Sequence, residues 1–210
     1  MEHPICVYCL NDLPWITRAC RQCGYPHDHA IDSCEHCFDT QNVFSCFSAL
    51  AYQDAVKWMF YRVKKHRDEP IARALSDVLA IYLSQRRLHP IPDAIIPIPT
   101  TKQQRRKRGF NLPELLIQYL PANLKHLYRP ILKSHKPNAE VKHLSRAQRI
   151  ATNHRFSVSG PVPRHVVIVD DVITTGATMM AAIGALKAHG AECIEIWSVA
   201  RTPLSHSHEN

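Results

Sequence analysis

The sequence predicts an α/β protein, a parallel-sheet domain behind a small N-terminal cysteine-rich module, and three observations carry that prediction. Three CxxC pairs stand within the first 37 residues. HVVIVDD at 165–171 is an unbroken apolar run that ends on two acids, the pattern of a strand buried on both faces. A helical pattern and a second apolar run at 192–200 follow, which makes a strand–helix–strand unit and hence a parallel pair. A chain of 210 residues has room for one ordinary domain and an appendage. We divide it into a metal module at 1–46, the main domain at 47–205 and a polar tail at 206–210.

The module comes first. Cys6/Cys9, Cys20/Cys23 and Cys34/Cys37 recur every fourteen residues. A CxxC turn places two thiolates on one side, where both reach one tetrahedral zinc at about 2.3 Å. Gly24 follows the second pair, where the chain must turn. Residues 1–46 hold few large aliphatic side chains, so metal binding would supply the folding energy that a core cannot. Redox CxxC pairs stand alone rather than in threes. One zinc takes four thiolates and six are offered. The remaining pair could recruit Cys46, His27, His29 or His36 for a second ion, or stand idle. Seven of the eight cysteines precede residue 47, a clustering that points to metal rather than disulfides. Cys193 sits apart in an apolar strand and reads as core.

The N-terminus, MEHPICVYC, has neither a basic start nor an apolar segment of signal-peptide type. No apolar run approaches the ~20 residues of a membrane span. The expected location is the cytoplasm. The formal charge of +8 suggests an anionic partner, nucleic acid or phosphate.

The main domain follows in order. FSCFSALAY at 44–52 alternates as a strand leading out of the module. Residues 55–66 read as a helix with Trp58, Phe60 and Tyr61 as core and a basic end at Lys64, Lys65, His66 and Arg67. Pro70 opens a second helix, in which Ile71, Ala74, Leu75, Val78, Leu79 and Tyr82 form one apolar face. DAIIPIP at 93–99 is a short strand, and TTKQQRRKRGF at 100–110 reads as a loop. Asn111 with Glu114 marks the start of a helix. LYRPIL at 127–132 is a candidate strand, and LSRAQRIATN at 144–153 a short helix that places Arg146 and Arg149 on one face. HVVIVDD, a helix ended by Gly190, and the strand 192–200 complete the domain.

The chemistry concentrates after HVVIVDD. Thr174, Thr175, Gly176, Ala177 and Thr178 bridge strand and helix, and residues this small let backbone N–H groups face one concavity. The helix dipole adds positive potential there, which makes a phosphate cradle. It is not a Walker A loop, since GxxxxGK[ST] is absent. Asp170 and Asp171 cannot grip phosphate, but carboxylates suit sugar hydroxyls and Mg²⁺. Together the two halves fit a ribose phosphate.

VVIVDDVITTGAT resembles the phosphoribosyl-pyrophosphate (PRPP) motif of type I phosphoribosyltransferases. The cysteine pairs, IPIPTTKQQRRKRGFN, LSRAQR and that motif, in this order, make the whole chain resemble the ComF family of competence proteins. The resemblance implies a zinc-ribbon-like N-terminus on a phosphoribosyltransferase fold. It also implies PRPP bound with magnesium and a role in natural transformation, acting on incoming single-stranded DNA beside the DNA-translocation machinery. In such a fold the basic segment Lys102, Arg105, Arg106, Lys107, Arg108 and Gly109 faces the pyrophosphate end of PRPP, or grips a DNA backbone. The alternative within the same fold is an active phosphoribosyltransferase that moves ribose 5-phosphate to an amine or nucleobase. Asp170 and Asp171 would then be the catalytic carboxylates.

Overall fold

A computed structural model describes residues 4–35, 37, 43–86, 90–135 and 155–203. The expected helix at 144–153, with Arg146 and Arg149, lies outside the described residues, as do His36 and the tail.

Four strands form one parallel sheet. They are β1 (Val43–Ala51), β2 (Ala94–Pro97), β5 (His165–Ile173) and β6 (Cys193–Arg201), in the order β1-β6-β5-β2. A separate antiparallel ribbon pairs β3 (Leu132–Ser134) with β4 (Phe156–Val158). β5 lies inside the sheet and is buried from His165 to Asp170. Its alternation feeds two cores. Val167 and Val169 face one, with Ile95, Trp197 and Phe60, and Val166 and Ile168 face the other, with Ile96, Ile196 and Met179.

Helices α2 (Asp54–His66), α3 (Glu69–Ser84) and α5 (Leu112–Gln118) supply the first core. α3 starts as expected: Asp68 caps it, its carboxylate accepting from the Ile71 N–H at 3.3 Å, with proline in the first turn. Its buried positions include Ala74, Leu75, Val78, Leu79 and Tyr82. α2 ends at Arg67, which takes left-handed φ 56° and turns the chain into α3.

The basic segment is not a loop. Lys102–Arg108 forms a helix, α4. The reason is a capping box that the run of charge conceals: the Thr101 hydroxyl accepts from the Gln104 N–H at 3.2 Å, and the Gln104 side chain accepts from the Thr101 N–H. Gly109, at φ 85°, closes α4. Of LYRPIL, only Leu132 enters a strand, while Tyr128 makes an isolated bridge to Ile95.

The second core is covered by α7 (Ala177–Lys187) and by the cysteine module. Two short helices, α1 (Val7–Asn11) and α6 (Ala122–Lys125), complete the helices of the described residues. The module lies along β1: the Ile16 N–H reaches Ala49 O at 2.8 Å, the Ala51 N–H reaches Pro14 O at 2.9 Å, and the Cys46 N–H reaches Arg21 O at 2.7 Å. The sheet begins at Val43, so β1 spans residue 46. Cys193 is half-buried at the start of β6. Among the described residues no helix is long and apolar enough to cross a membrane.

Candidate functional site

The carboxyl end of β5 carries the acid pair, beyond the end of β2, whose Pro97 pairs with Val169, while pairing with β6 continues past the acids to Ile173 opposite Arg201. Consecutive residues of a strand face opposite sides, so the two acids have different surroundings. Asp171 meets Lys64 of α2, with Nζ and Oδ2 2.7 Å apart and both side chains mostly buried. Asp170 is 9% exposed. Its Oδ1 accepts the Asp171 N–H at 2.8 Å, and Asp171 Oδ1 accepts the Val172 N–H at 2.7 Å. Burial, and then the adjacent Asp171 charge, push the Asp170 carboxyl well above the usual carboxylate range. The pair offers one reluctant and one lysine-compensated carboxylate, a set fitted to hydroxyls or to a divalent cation that would relieve the repulsion.

The loop lies directly beyond. Gly176 takes φ 79° and is the N-cap of α7, with no side chain capping the helix. That conformation suits glycine alone among these residues. Among the described residues the N–H groups of Thr174, Thr175, Gly176, Ala177 and Thr178 donate no hydrogen bond. Thr174, Thr175 and Ala177 are exposed and Thr178 is half-buried. Free amides at the start of an eleven-residue helix, on an open loop, are what an anion requires. The loop is held from beneath: the Thr202 N–H donates to Ile173 O at 2.9 Å, and the Arg201 guanidinium donates to Ile173 O and Thr174 O.

Further polar atoms await a partner at this end of the sheet. The Thr100 and Thr202 hydroxyls, beyond β2 and β6, are buried without a hydrogen bond among the described residues, as is Asn111 Oδ1. The Asn111 amide nitrogen is occupied, donating to Ile98 O at 3.0 Å. Buried polar groups without protein partners are groups that a ligand or water satisfies.

The basic segment adjoins a second one. On α4, Lys102, Arg105, Arg106 and Lys107 are exposed, Arg108 is half-buried, and Arg105 pairs with Glu114 at 3.3 Å. A Cβ built on Gly109 would lie 3.3 Å from the Arg67 guanidinium carbon. The cationic ends of α2 and α4 therefore meet, and Lys64, three residues before Arg67, extends the positive rim to Asp171. Two of the expected core aromatics are corrected: Trp58 and Tyr61 are each 54% exposed on α2, and only Phe60 is buried. The guanidinium of Arg62 lies 5.5 Å from the Trp58 ring.

The second and third cysteine pairs come together. Sγ atoms of Cys20, Cys23, Cys34 and Cys37 all lie within 4.8 Å of one another. Cys20 and Cys37 are 3.4 Å apart, and Cys23 and Cys34 3.5 Å. Four sulfur donors at such separations fit a tetrahedral zinc. Without metal, burial raises the Cys23 thiol strongly and the Cys37 thiol to about 11. The structure keeps Cys6 and Cys9 out of this group: both are exposed on or beside α1. Cys46 is buried next to Gly24 but is not a fifth member, and burial lifts its thiol to about 12.

Lys64, Thr100, Thr202 and Arg201 escaped the sequence reading. Lys64 sits in a helix-end run of cations with nothing local to single it out, and Thr100 opens a stretch whose dense charge conceals its capping box. Arg201 follows an apolar strand with nothing local to reveal its partners.

The family model for the phosphoribosyl transferase domain matches residues 108–209. The DNA utilization protein YhgH of Escherichia coli O157:H7 is 29% identical over 205 residues, covering 94% of this chain and 90% of that one. Competence protein F of Haemophilus influenzae is 28% identical, covering 87% and 84%. Competence protein ComFC of Bacillus subtilis is 25% identical, covering 90% and 80%.

Proposed function

We propose that this chain, a ComF-family protein carrying a phosphoribosyl transferase domain, binds PRPP with Mg²⁺ behind β5 and holds single-stranded DNA on the adjoining basic rim. In this reading it handles imported DNA in the cytoplasm. The supporting observation is the set of unbonded amides at Thr174–Thr178, separated by Val172 and Ile173 from an acid pair whose first member is buried. The loop takes the 5′-phosphate. Asp170 and Asp171 would take the ribose hydroxyls and could hold Mg²⁺, which would supply positive charge against the pyrophosphate. Lys64 holds Asp171 in the free protein and is placed to meet pyrophosphate oxygens when that pair opens.

The rim supplies what a single strand needs: Lys65, Arg67, Arg105 and Arg106 for phosphates, with Trp58 and Tyr61 as half-open stacking surfaces. The names of the relatives, competence and DNA utilization, support this part of the reading. The thiolate cluster is assigned a structural zinc.

Calorimetry with PRPP, with and without Mg²⁺, tests the reading directly. Saturable binding that needs Mg²⁺ and disappears in the Asp170→Asn/Asp171→Asn double variant is expected. Absence of any PRPP binding by zinc-loaded protein would overturn it. Pyrophosphate release in the presence of a base or amine would make the chain a transferase instead of a binding protein.

A further inference from the structure

One buried side chain bonds both the backbone of a cluster cysteine and the anion loop. Arg201 ends β6 and is 1% exposed. Its Nε donates to Cys23 O at 3.3 Å, and its Nη1 donates to Ile173 O at 3.1 Å and to Thr174 O. Its guanidinium carbon lies 5.8 Å from the centre of the Tyr25 ring, within the module. A residue that bears a metal-ligating thiol and a residue that opens the loop thus hang on the same planar fork.

The stereochemistry of the peptide group gives this contact a consequence. In a planar trans peptide the C=O of one residue and the N–H of the next point in opposite directions. Drawing Ile173 O and Thr174 O onto Arg201 therefore turns the Thr174 and Thr175 N–H groups away from Arg201. These are two of the amides that make no hydrogen bond among the described residues. The placement of the guanidinium is tied to the cluster in turn. A Cys20–Cys23 turn folded around metal fixes the carbonyl that receives Nε.

We infer that Arg201 is a positioning residue that couples the metal centre to the anion loop. With the thiolates bound to metal, the guanidinium turns the two loop amides away from itself. When the metal is lost, Cys23 moves, the fork loses its anchor and the loop loses its receptive shape. The consequence for ligand binding rests on the reading of the loop as the ribose-phosphate site, whereas the geometric coupling does not.

Two measurements on the full-length protein test this. In amide-resolved NMR, stripping zinc with a chelator should shift the Thr174, Thr175 and Gly176 resonances while those of α3 stay in place. Zinc-loaded Arg201→Met should show the displaced loop resonances from the start and be indifferent to chelation. Calorimetry with PRPP and Mg²⁺ should show affinity at least tenfold weaker in Arg201→Met at unchanged zinc content, with Arg201→Lys intermediate because an ammonium cannot span both carbonyls as the fork does. Loop resonances that ignore zinc removal, or a general collapse that takes α3 along with the loop, would overturn the coupling. So would wild-type affinity in Arg201→Met. Should Arg201→Met not fold, chelation of the wild-type chain decides. If wild-type protein binds no PRPP at all, the reading of the loop fails while the NMR comparison still decides the coupling.

Discussion

At the scale of single residues, the site is built from groups that the fold keeps under stress. Asp170 is buried beside a second carboxylate, and its carboxyl is raised for that reason. Asp170→Asn keeps the oxygen that accepts the Asp171 N–H and removes the repulsion. The variant is expected to gain about 1 kcal/mol, roughly 2–4 °C in melting temperature, while losing PRPP binding. Paired thermal-melt and calorimetric measurements check both signs. Lys64→Met should do the opposite to stability, losing about 1–2 kcal/mol, because Asp171 is left without its partner in a position between exposed and buried. Gly176→Val places a β-branched side chain at φ 79°, so it should destabilise the chain by about 1–2 kcal/mol and abolish phosphate binding. A melt and an inorganic-phosphate titration are sufficient to see it.

At the scale of elements, α2 and α4 act as one surface because Arg67 reaches Gly109. Charge reversal at Arg105, Arg106 and Arg108 should weaken binding of a single-stranded oligonucleotide. It should also flatten the salt dependence by about 0.7 log units for each phosphate contact removed. Alanine at Trp58 and Tyr61 should weaken binding by about 1–3 kcal/mol per base unstacked, with little change in that slope. Titrations at several salt concentrations separate the two effects. This surface was only half legible in the sequence. The cations of 102–108 were plain, but the charge hid Thr101 and Gln104, whose mutual bonds make a helix of the run. The aromatics of α2 read as core in the sequence, and only the packing of the first core shows that Phe60 goes in while Trp58 and Tyr61 stay out. By contrast β5 and α7 were legible nearly residue by residue, since an apolar run buried on both faces and a glycine-marked turn are local signals.

At the scale of the whole molecule, metal and sheet are interdependent. The spacing of the three CxxC pairs announced a metal module but not its membership, which depends on how Cys20–Cys23 and Cys34–Cys37 fold against α7 and β6. The observed grouping makes a sharp distinction. Cys20→Ser should lower bound zinc and melting temperature together, and Cys6→Ser with Cys9→Ser should leave both near wild type. Metal analysis beside a thermal melt reads the difference. Lys64 and Arg201 show the same limit of sequence: each acts on a segment about 30 or 100 residues distant along the chain, and no periodicity records such a pairing.

The bonds that the module makes along β1 carry one more consequence. Ala49 O and the N–H groups of Cys46 and Ala51 would otherwise form an open row at the border of the sheet. Such a row is a template on which another chain can add a strand. Cells starved of zinc during synthesis should therefore accumulate this protein as insoluble material rich in intermolecular β-structure, and metal supplied before folding, rather than after, should keep it dispersed.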